Sequence, residues 1–292
     1  MTLPYLERLA ARSATVGSVL CVGLDPDPGT LPEGFARDLH GVEDFARLLV
    51  ESTTPYAAAI KPNLAFFEAF GSDGLAVLER IRASLPSDLP VVLDGKRGDI
   101  GSTVARQAVA LFDRLGADAV TVNPYLGSEA VMPLLSRTDR FAYVLCRTTN
   151  PGAGEFQGLV VAPDPELDAP AEPLYLRLAR RARRWGPGGT VGLVAAATAP
   201  AELASIRSAA PGLPFLVPGI GAQGGQLEPV LTHGPATADP GAGRPGGGLI
   251  VNVSRAIVDA AVASPPNGRA GDLGERLAAA AAVWASRLPV LP

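Results

Sequence analysis

The chain has 292 residues, 47% of them hydrophobic, and is therefore long enough to bury a sizeable core. Its net charge of −4 excludes the strongly positive field typical of nucleic-acid-binding proteins. Two cysteines and two histidines leave almost no material for a disulfide framework, a zinc site or histidine-based catalysis. The first twelve residues lack the apolar core of a signal peptide, and no apolar run is long enough to span a membrane. We therefore expect a cytoplasmic protein that binds neither nucleic acid nor membrane.

Apolar segments of strand length alternate with segments of helical spacing along the chain. Eight strands are predicted, at 18–24, 57–60, 91–96, 119–122, 141–146, 191–196, 214–217 and 249–253. Helices are predicted at 3–12, 42–54, 74–85, 104–115, 128–136, 173–184, 201–209, 256–262 and 273–286.

The predicted strands are nearly all followed by helices and read as continuous apolar runs, which is typical of a parallel sheet covered on both faces. A closed (β/α)₈ TIM barrel of the α/β class is the most economical such fold. A doubly wound open sheet is the alternative, although the first strand lacks the G-x-G-x-x-G turn of a dinucleotide-binding fold. We expect a single barrel domain over residues 1–292, with loop insertions at 151–173 and 233–248, which are rich in glycine and proline.

The segment 91–103 contains the densest group of charged residues at a predicted strand end. Side chains alternate along a strand, so Asp94 and Lys96 share one face, and Asp99 follows in a turn flanked by glycine. Asp99 or Ser102 is expected to cap the next helix. The plain interpretation is a salt bridge, but charged residues are seldom buried without a function. Two carboxylates around one lysine favour its protonated form, as a general acid requires.

Polar residues also follow the other predicted strands, where active sites of (β/α)₈ barrels form. They are Asp25, Lys61, Asn123, Thr148, Thr149, Thr198 and Arg255, together with the loop that begins at Pro218. Asp25, Lys61, Asp94 and Lys96 form an alternating line of acids and bases across the first three strands. Lys61 considered alone is equally compatible with a surface position, because lysine is rarely buried.

The last two predicted strands are followed by a different kind of group. Residues 218–225 form a glycine-rich loop, and Arg255 lies at the start of a helix. Barrels often bind phosphate at these two loops, through backbone N–H groups and a helix N-terminus, and an arginine can bind the anion with two hydrogen bonds. The alternative is a glycine-rich turn beside a solvated arginine. The position in the barrel favours a phosphate site.

Several of these motifs resemble those of the orotidine 5′-phosphate decarboxylase family. Residues 93–103 (LDGKRGDIGST) are similar to its signature, and 217–225 (VPGIGAQGG) are similar to its phosphate loop. Further matches are 22–26 (VGLDP), 60–63 (IKPN) with 66–68 (FFE), 123–127 (NPYLG) and 146–151 (CRTTNP), the last two typical of the longer bacterial subgroup. The chain departs from the family pattern at Ser254, where many members have glycine before the arginine, and in the length of the insertion before the last strand.

The resemblance implies a role for each charged residue of the first three strands. Lys61 would bind the ribose and hold the charge network, and Asp94 would lie against the substrate carboxylate. Lys96 would deliver a proton to pyrimidine C6 as carbon dioxide leaves. Asp99, together with Ile100 and Thr103, would reach into the site of a neighbouring subunit, which implies a homodimer.

The resemblance also implies the residues that bind the rest of the nucleotide. Asp25 would bind the ribose, and Thr148 or Thr149 would form a hydrogen bond with the pyrimidine edge. The 5′-phosphate would be bound by Gln223 and Arg255, in loops that begin at Pro218 and Ser254.

The implied reaction is decarboxylation of orotidine 5′-phosphate to uridine 5′-phosphate in pyrimidine biosynthesis, without metal or cofactor. Three alternatives remain. One is a related phosphosugar enzyme with the same Asp-x-Lys-x-x-Asp strand, such as a keto-gulonate phosphate decarboxylase or a hexulose phosphate synthase. Another is a lysine Schiff-base aldolase, which needs a neutral lysine that the neighbouring carboxylates disfavour. The third is a catalytically silent barrel that acts as a binding protein, which would be expected to lack one of the four charged residues.

Overall fold

The structure, a computed structural model, describes residues 3–221, 223–237, 245–263 and 272–291. Eight parallel strands form one sheet in the order β2-β1-β10-β9-β8-β5-β4-β3. These strands are β1 (Leu20–Leu24), β2 (Ala59–Pro62), β3 (Val92–Arg97), β4 (Ala119–Val122), β5 (Phe141–Arg147), β8 (Val191–Ala195), β9 (Phe215–Val217) and β10 (Ile250–Val253). The remaining pair, β6 (Val160–Val161) and β7 (Glu172–Pro173), forms a separate antiparallel ribbon.

The ends of the large sheet meet, because single parallel bridges join Ile60 to Val91 and Asn63 to Asp94 between β2 and β3. The sheet is therefore a barrel, as the continuous apolar strands predict, and the open doubly wound sheet is excluded. Each predicted strand is present, with ends that differ from the prediction by at most two residues.

Helices pack around the barrel and across its N-terminal end. They are α1 (Tyr5–Val16), α2 (Leu39–Thr53), α3 (Leu64–Glu68), α4 (Gly71–Ser84), α5 (Gly101–Ala108), α6 (Met132–Leu135), α7 (Gly154–Gln157), α8 (Leu174–Ala182), α9 (Pro200–Ala209), α10 (Leu227–His233), α11 (Arg255–Ala263) and α12 (Leu273–Arg287). Within the part of the chain that the structure describes, no helix has the length and apolar character needed to cross a membrane.

The start of α5 differs from the prediction. Its N-cap is Ile100, with no side-chain cap, and Ser102 lies inside the first turn. The carboxylate of Asp99 instead accepts the N–H of Ile100 at 2.7 Å. The predicted cap by Asp99 or Ser102 is therefore wrong, because the helix begins between the two residues. The predicted helix 104–115 is also interrupted: α5 ends at Ala108 and a π-helical turn continues over Val109–Arg114.

Aromatic side chains fill the half of the barrel interior that lies nearer the N-terminal ends of the strands. Phe141 and Tyr143 of β5 point inward, and Tyr5 of α1 stacks on Phe141 with 5.0 Å between ring centroids. Smaller inward-facing residues on neighbouring strands make room for the rings: Cys21, Ala59 and Ala119. Cys21, like Cys146, is a buried free thiol.

Arginines of α1 fasten this helix across the N-terminal ends of the strands. Arg8 pairs with the buried carboxylate of Asp118 at 2.7 Å, and Asp118 also accepts the N–H of Val91 at 2.8 Å. Arg12 donates to the carbonyls of Ala57 and Thr54 at 3.1 and 2.6 Å. With this end filled and covered, the space for a ligand lies at the C-terminal ends of the strands.

The insertion at 151–173 is more ordered than the loop predicted there. It contains two 3₁₀ turns, at Pro151–Ala153 and Pro165–Leu167, together with α7 and both strands of the small ribbon. In the second predicted insertion, 233–248, α10 ends at His233, and the glycines at 246, 247 and 248 all have positive φ. Residues 238–244 of this insertion, and Ala222 of the predicted phosphate loop, lie outside the described residues.

Candidate active site

A cavity of about 220 Å³ opens at the C-terminal ends of the barrel strands. Every predicted site residue lines it except Asp99, Ile100 and Thr103. The lining consists of Asp25, Lys61, Asn63, Asp94, Lys96, Thr121, Leu145, Thr148, Thr149, Val194, Leu216, Pro218, Gly219, Ile220, Gln223, Asn252, Ser254, Arg255 and Ala256. The tertiary fold thus collects residues from both halves of the chain around one space.

The carboxylate of Asp94 lies between two ammonium groups. Lys61 Nζ is 2.8 Å from Asp94 Oδ2, and Lys96 Nζ is 2.7 Å from Asp94 Oδ1. Lys61, Asp94 and Lys96 thus form a row of alternating charge. The exposed fraction of the side chain rises along this row, from 5% at Lys61 through 12% at Asp94 to 50% at Lys96. Lys96 therefore presents its ammonium group to the cavity, while Lys61 is buried behind Asp94 and pairs with it.

A bulge in β3 gives the row its geometry. The register between β3 and β4 shifts between Leu93 and Arg97, and Lys96 adopts a φ of +47°, a region that residues other than glycine rarely occupy. A hydroxyl of β4 spans the gap: Thr121 Oγ1 accepts the backbone N–H of Lys96 at 3.0 Å and donates to Asp94 Oδ1 at 2.7 Å. Unusual backbone conformations of this kind are often found at functional sites.

Mutual attraction keeps the buried pair ionised. Burial alone would raise the pKa of Asp94, but the charges of Lys61 and Lys96 and their hydrogen bonds outweigh it and hold that pKa well below its usual range. Burial alone would lower the pKa of Lys61, but Asp94 and Asp25 outweigh it and raise that pKa above its usual value. Asp94 is therefore not protonated near pH 7 and remains an anion.

Two residues that line the cavity each carry a buried oxygen without a hydrogen-bond partner among the described residues. These oxygens are Asp25 Oδ1, just past β1, and Asn252 Oδ1 on β10. Buried polar atoms are normally paired, so unpaired ones at a cavity indicate a ligand that donates hydrogen bonds. Hydroxyl groups of a sugar have this chemistry.

The predicted phosphate loop follows β9. Gly219, Gly221 and Gly224 all have positive φ, and a Cβ on Gly219 would lie 2.8 Å from Thr149 Cγ2. The loop folds back on itself through the N–H of Gly225, which donates to the carbonyl of Gly219 at 2.9 Å. Glycine is therefore required here both for conformation and for space.

Arg255 begins α11 on the other side of the same opening, directly after Ser254. The loop and the helix start thus lie together at one opening, as expected of an anion site.

Three predicted residues do not line the cavity of their own chain. Asp99 binds the adjacent backbone N–H, Ile100 is 57% exposed, and Thr103 is exposed on the first turn of α5. Two polar residues from strand ends are also outside it. Asn123 caps its own loop by accepting the N–H of Tyr125 at 3.0 Å, and Thr198 is exposed on the rim.

Sequence reasoning missed Thr121, Asn252 and Asn63, which all line the cavity. Thr121 and Asn252 interrupt otherwise apolar strands, and this single polar position near a strand end was the available signal. A second signal was composition: Lys61 and Lys96 are the only lysines of the chain, and every other member of its 25 Lys and Arg residues is arginine. Lysine can give up a proton near neutral pH when its surroundings allow, whereas arginine cannot.

The fold and this cavity define the class of protein: a (β/α)₈-barrel enzyme with a lysine–aspartate–lysine row and a glycine-rich anion loop. A sequence model described as "Orotidine 5'-phosphate decarboxylase / HUMPS family" matches residues 18–265. The chain belongs to this family and is an enzyme of the carboxy-lyase class.

Curated relatives and solved structures agree with this assignment. The chain is 48% identical over 259 residues to the orotidine 5′-phosphate decarboxylase of Thermomicrobium roseum, covering 88% of this chain and 87% of that protein. It is 45% identical over 285 residues to that of Roseiflexus castenholzii, covering 97% and 95%. Its fold is similar to the crystal structure of a putative orotidine-monophosphate-decarboxylase from Toxoplasma gondii, with a TM-score of 0.81, 37% identity and coverage of 96% and 93%.

Proposed function

We propose that this enzyme decarboxylates orotidine 5′-phosphate to uridine 5′-phosphate in pyrimidine biosynthesis, without metal or cofactor. The observation that carries the proposal is the row formed by Lys61, Asp94 and Lys96, with Asp94 held by three donors. Family membership supports the same reaction.

The chemistry demands fixed charge at one carbon atom. When the bond between C6 and the carboxylate breaks, its electron pair remains at C6 in the plane of the ring, where the π system cannot delocalise it. Stabilisation then has to come from a preorganised cation. In the proposed mechanism Lys96 lies beside C6 in the plane of the ring, its ammonium proton passes to C6 as carbon dioxide leaves, and the neutral amine afterwards regains a proton from water.

Asp94 acts on the substrate carboxylate, which leaves as carbon dioxide. Its carboxylate would lie against the carboxylate of the substrate, and the like charges disfavour the bound ground state relative to the transition state. The hydrogen bonds from Lys61 and Thr121 keep Asp94 from turning away.

The remaining lining residues suit the rest of the nucleotide. Asp25, with its unpaired oxygen, and Lys61 would bind the ribose hydroxyls. Gln223 and Arg255, in loops shaped by Pro218 and Ser254, would bind the 5′-phosphate. Binding energy from this distant phosphate can close loops around the reacting ring. Thr148 and Thr149 would contact the pyrimidine edge.

We also propose that the enzyme is a homodimer in which Asp99, Ile100 and Thr103 complete the site of the partner subunit. Their position outside the cavity of their own chain is compatible with this role. Exposed apolar side chains nearby, Tyr125 and Leu126, would pack in such an interface. That the whole chain is one domain, and that the enzyme is located in the cytoplasm, both stay predictions from the sequence.

The test follows the ultraviolet absorbance of orotidine 5′-phosphate with purified protein, with and without EDTA. Fast loss of absorbance that EDTA does not affect is the expected result. No loss with folded, dimeric protein contradicts the proposal and favours a related phosphosugar enzyme. Loss that EDTA abolishes contradicts the metal-free mechanism.

A further inference from the structure

The 151–173 insertion reaches back to the active-site cavity through one side chain. Gln157, the last residue of α7, lies beside Thr148, which directly follows β5. Its Oε1 accepts the backbone N–H of Thr148 at 3.0 Å, and its Nε2 donates to Thr148 Oγ1 at 2.7 Å. Because a backbone N–H can only donate, the first contact fixes which end of the amide faces the hydroxyl.

The other polar groups of Thr148 are also occupied. Its carbonyl accepts from Arg147 Nη1 at 3.0 Å, and its Oγ1 lies 2.6 Å from Asn150 Oδ1. A hydroxyl has one proton and two lone pairs. The proton is directed to Asn150 and one lone pair to Gln157, so the group retains a single lone pair, which can only accept.

We propose that Gln157 is a positioning residue that holds the Thr148 hydroxyl as a hydrogen-bond acceptor towards the cavity. The inference rests on the proposed function, because it concerns the pyrimidine ring of the nucleotide. A uracil-type ring carries an N3–H, which donates to such an acceptor. A cytosine-type ring carries a lone pair at N3, which meets the lone pair of Thr148. The site then selects pyrimidines with an N3–H.

The insertion is anchored firmly enough to hold Gln157 in place. Two buried carboxylates tie its far end to α8. Glu172 pairs with Arg177 at 3.1 Å and with Arg180 at 3.0 Å, and Asp164 pairs with Arg181. Because the carboxylates are buried and each is paired, the segment is bound to the barrel at both ends. These contacts hold the insertion in a defined position beside the site.

The experiment compares Gln157→Ala and Gln157→Glu with the unsubstituted enzyme. Glutamate can still accept the N–H of Thr148 but cannot donate to its hydroxyl. We measure the Kd of uridine and cytidine 5′-monophosphate, and kcat and KM for orotidine 5′-phosphate. Glu155→Ala is the matched control, since Glu155 is exposed on the same helix. Melting temperatures show that each variant is folded.

Both Gln157 variants are expected to lower the preference for the uridine nucleotide about tenfold, the effect of one lost hydrogen bond, and to raise KM more than they lower kcat. Glu155→Ala leaves the nucleotide preference, KM and kcat unchanged. Equal weakening of both nucleotides, or an unchanged ratio in Gln157→Glu, overturns the inference while the proposed function stands. An unsubstituted protein that does not turn over orotidine 5′-phosphate overturns the proposed function and this inference with it.

Discussion

Thr121 and Lys96 are linked across the bulge of β3: the hydroxyl of Thr121 accepts the backbone N–H of Lys96 at 3.0 Å. The same hydroxyl donates to Asp94 at 2.7 Å. One side chain of β4 thus replaces the ladder bond that the bulge removes and orients the carboxylate that holds the lysine. Strain in the Lys96 backbone is compensated by this neighbour.

Replacing Thr121 with valine tests this link. Valine has nearly the same shape but no hydroxyl, so a bond to a charged group worth about 1.5–3 kcal/mol is lost. We expect kcat to fall about 10- to 100-fold. Steady-state decarboxylation assays on folded protein measure the effect.

Thr190→Val is the matched control for this experiment. The hydroxyl of Thr190 is buried and has no partner among the described residues, so its removal leaves activity unchanged and the free energy of unfolding equal or higher. Equal effects of both substitutions would contradict the special role of Thr121.

Lys96→Arg separates the charge of Lys96 from its proton. Arginine keeps the positive charge but does not give up a proton in proteins. If Lys96 is the proton donor, we expect Lys96→Arg to lose activity about as severely as Lys96→Ala, by at least the 10²- to 10⁴-fold typical of a general acid. Arg97→Lys, next in sequence but paired outward with Glu68, is the control and stays active. An active Lys96→Arg enzyme would show that charge alone suffices.

The ion pair of Lys61 and Asp94 predicts how stability depends on pH. The pKa of Asp94 is lowered on folding, so its contribution is complete above the unfolded pKa of about 4 and is lost as pH falls through the lower folded value. The pKa of Lys61 is raised, so its contribution is complete below about pH 10 and is lost above that. Denaturant unfolding across this range is expected to show an acid loss that Asp94→Asn reduces.

Asp94→Asn is expected to reverse the alkaline part of the same profile. Without the Asp94 charge, Lys61 is left buried with one fewer counter-charge, and its folded pKa falls below the unfolded value. The variant then becomes more stable as pH rises towards 10, because its folded state favours the neutral amine. A profile that runs parallel to that of the unsubstituted protein at every pH would contradict this account of the pair.

Arg207 is a structural residue whose loss is expected to lower stability and not chemistry. Its buried guanidinium donates to the carbonyls of His233, Ala210, Pro211, Leu213 and Gly234, and it lies 3.6 Å from the ring centroid of Phe215. Arg207→Met leaves these acceptors without a donor, at a cost of about 3 kcal/mol or more in the free energy of unfolding. Chemical denaturation measures it. Arg183→Met, which loses one long contact to Ala209, is the control with little change.

The alternation of apolar strands and helical segments was enough to predict a parallel sheet covered on both faces, with the barrel as its most economical form, because each strand buried on both faces leaves a local pattern. Asp94 and Lys96 were predictable as a pair because they lie two apart at a strand end. The bulge in β3 and the positive φ of Lys96, which set their actual geometry, were not predictable from that spacing. The interruption of α5 and its uncapped start were not predictable, since both depend on how the β3 loop meets the barrel rather than on local preference.

The amino-acid sequence by itself determined which residues end each strand and therefore which groups were available to the site. Only the tertiary structure decided that Thr121 supports Asp94 and Lys96, that Asn252 faces the cavity, and that Gln157 contacts Thr148. Thr121 is 25 and 27 residues away from Lys96 and Asp94, and Gln157 contacts Thr148 from nine residues away within the insertion. The contacts of Thr121 follow from the register of β3 against β4. The contact of Gln157 follows from how the insertion folds back on the end of β5, and no local pattern records either arrangement.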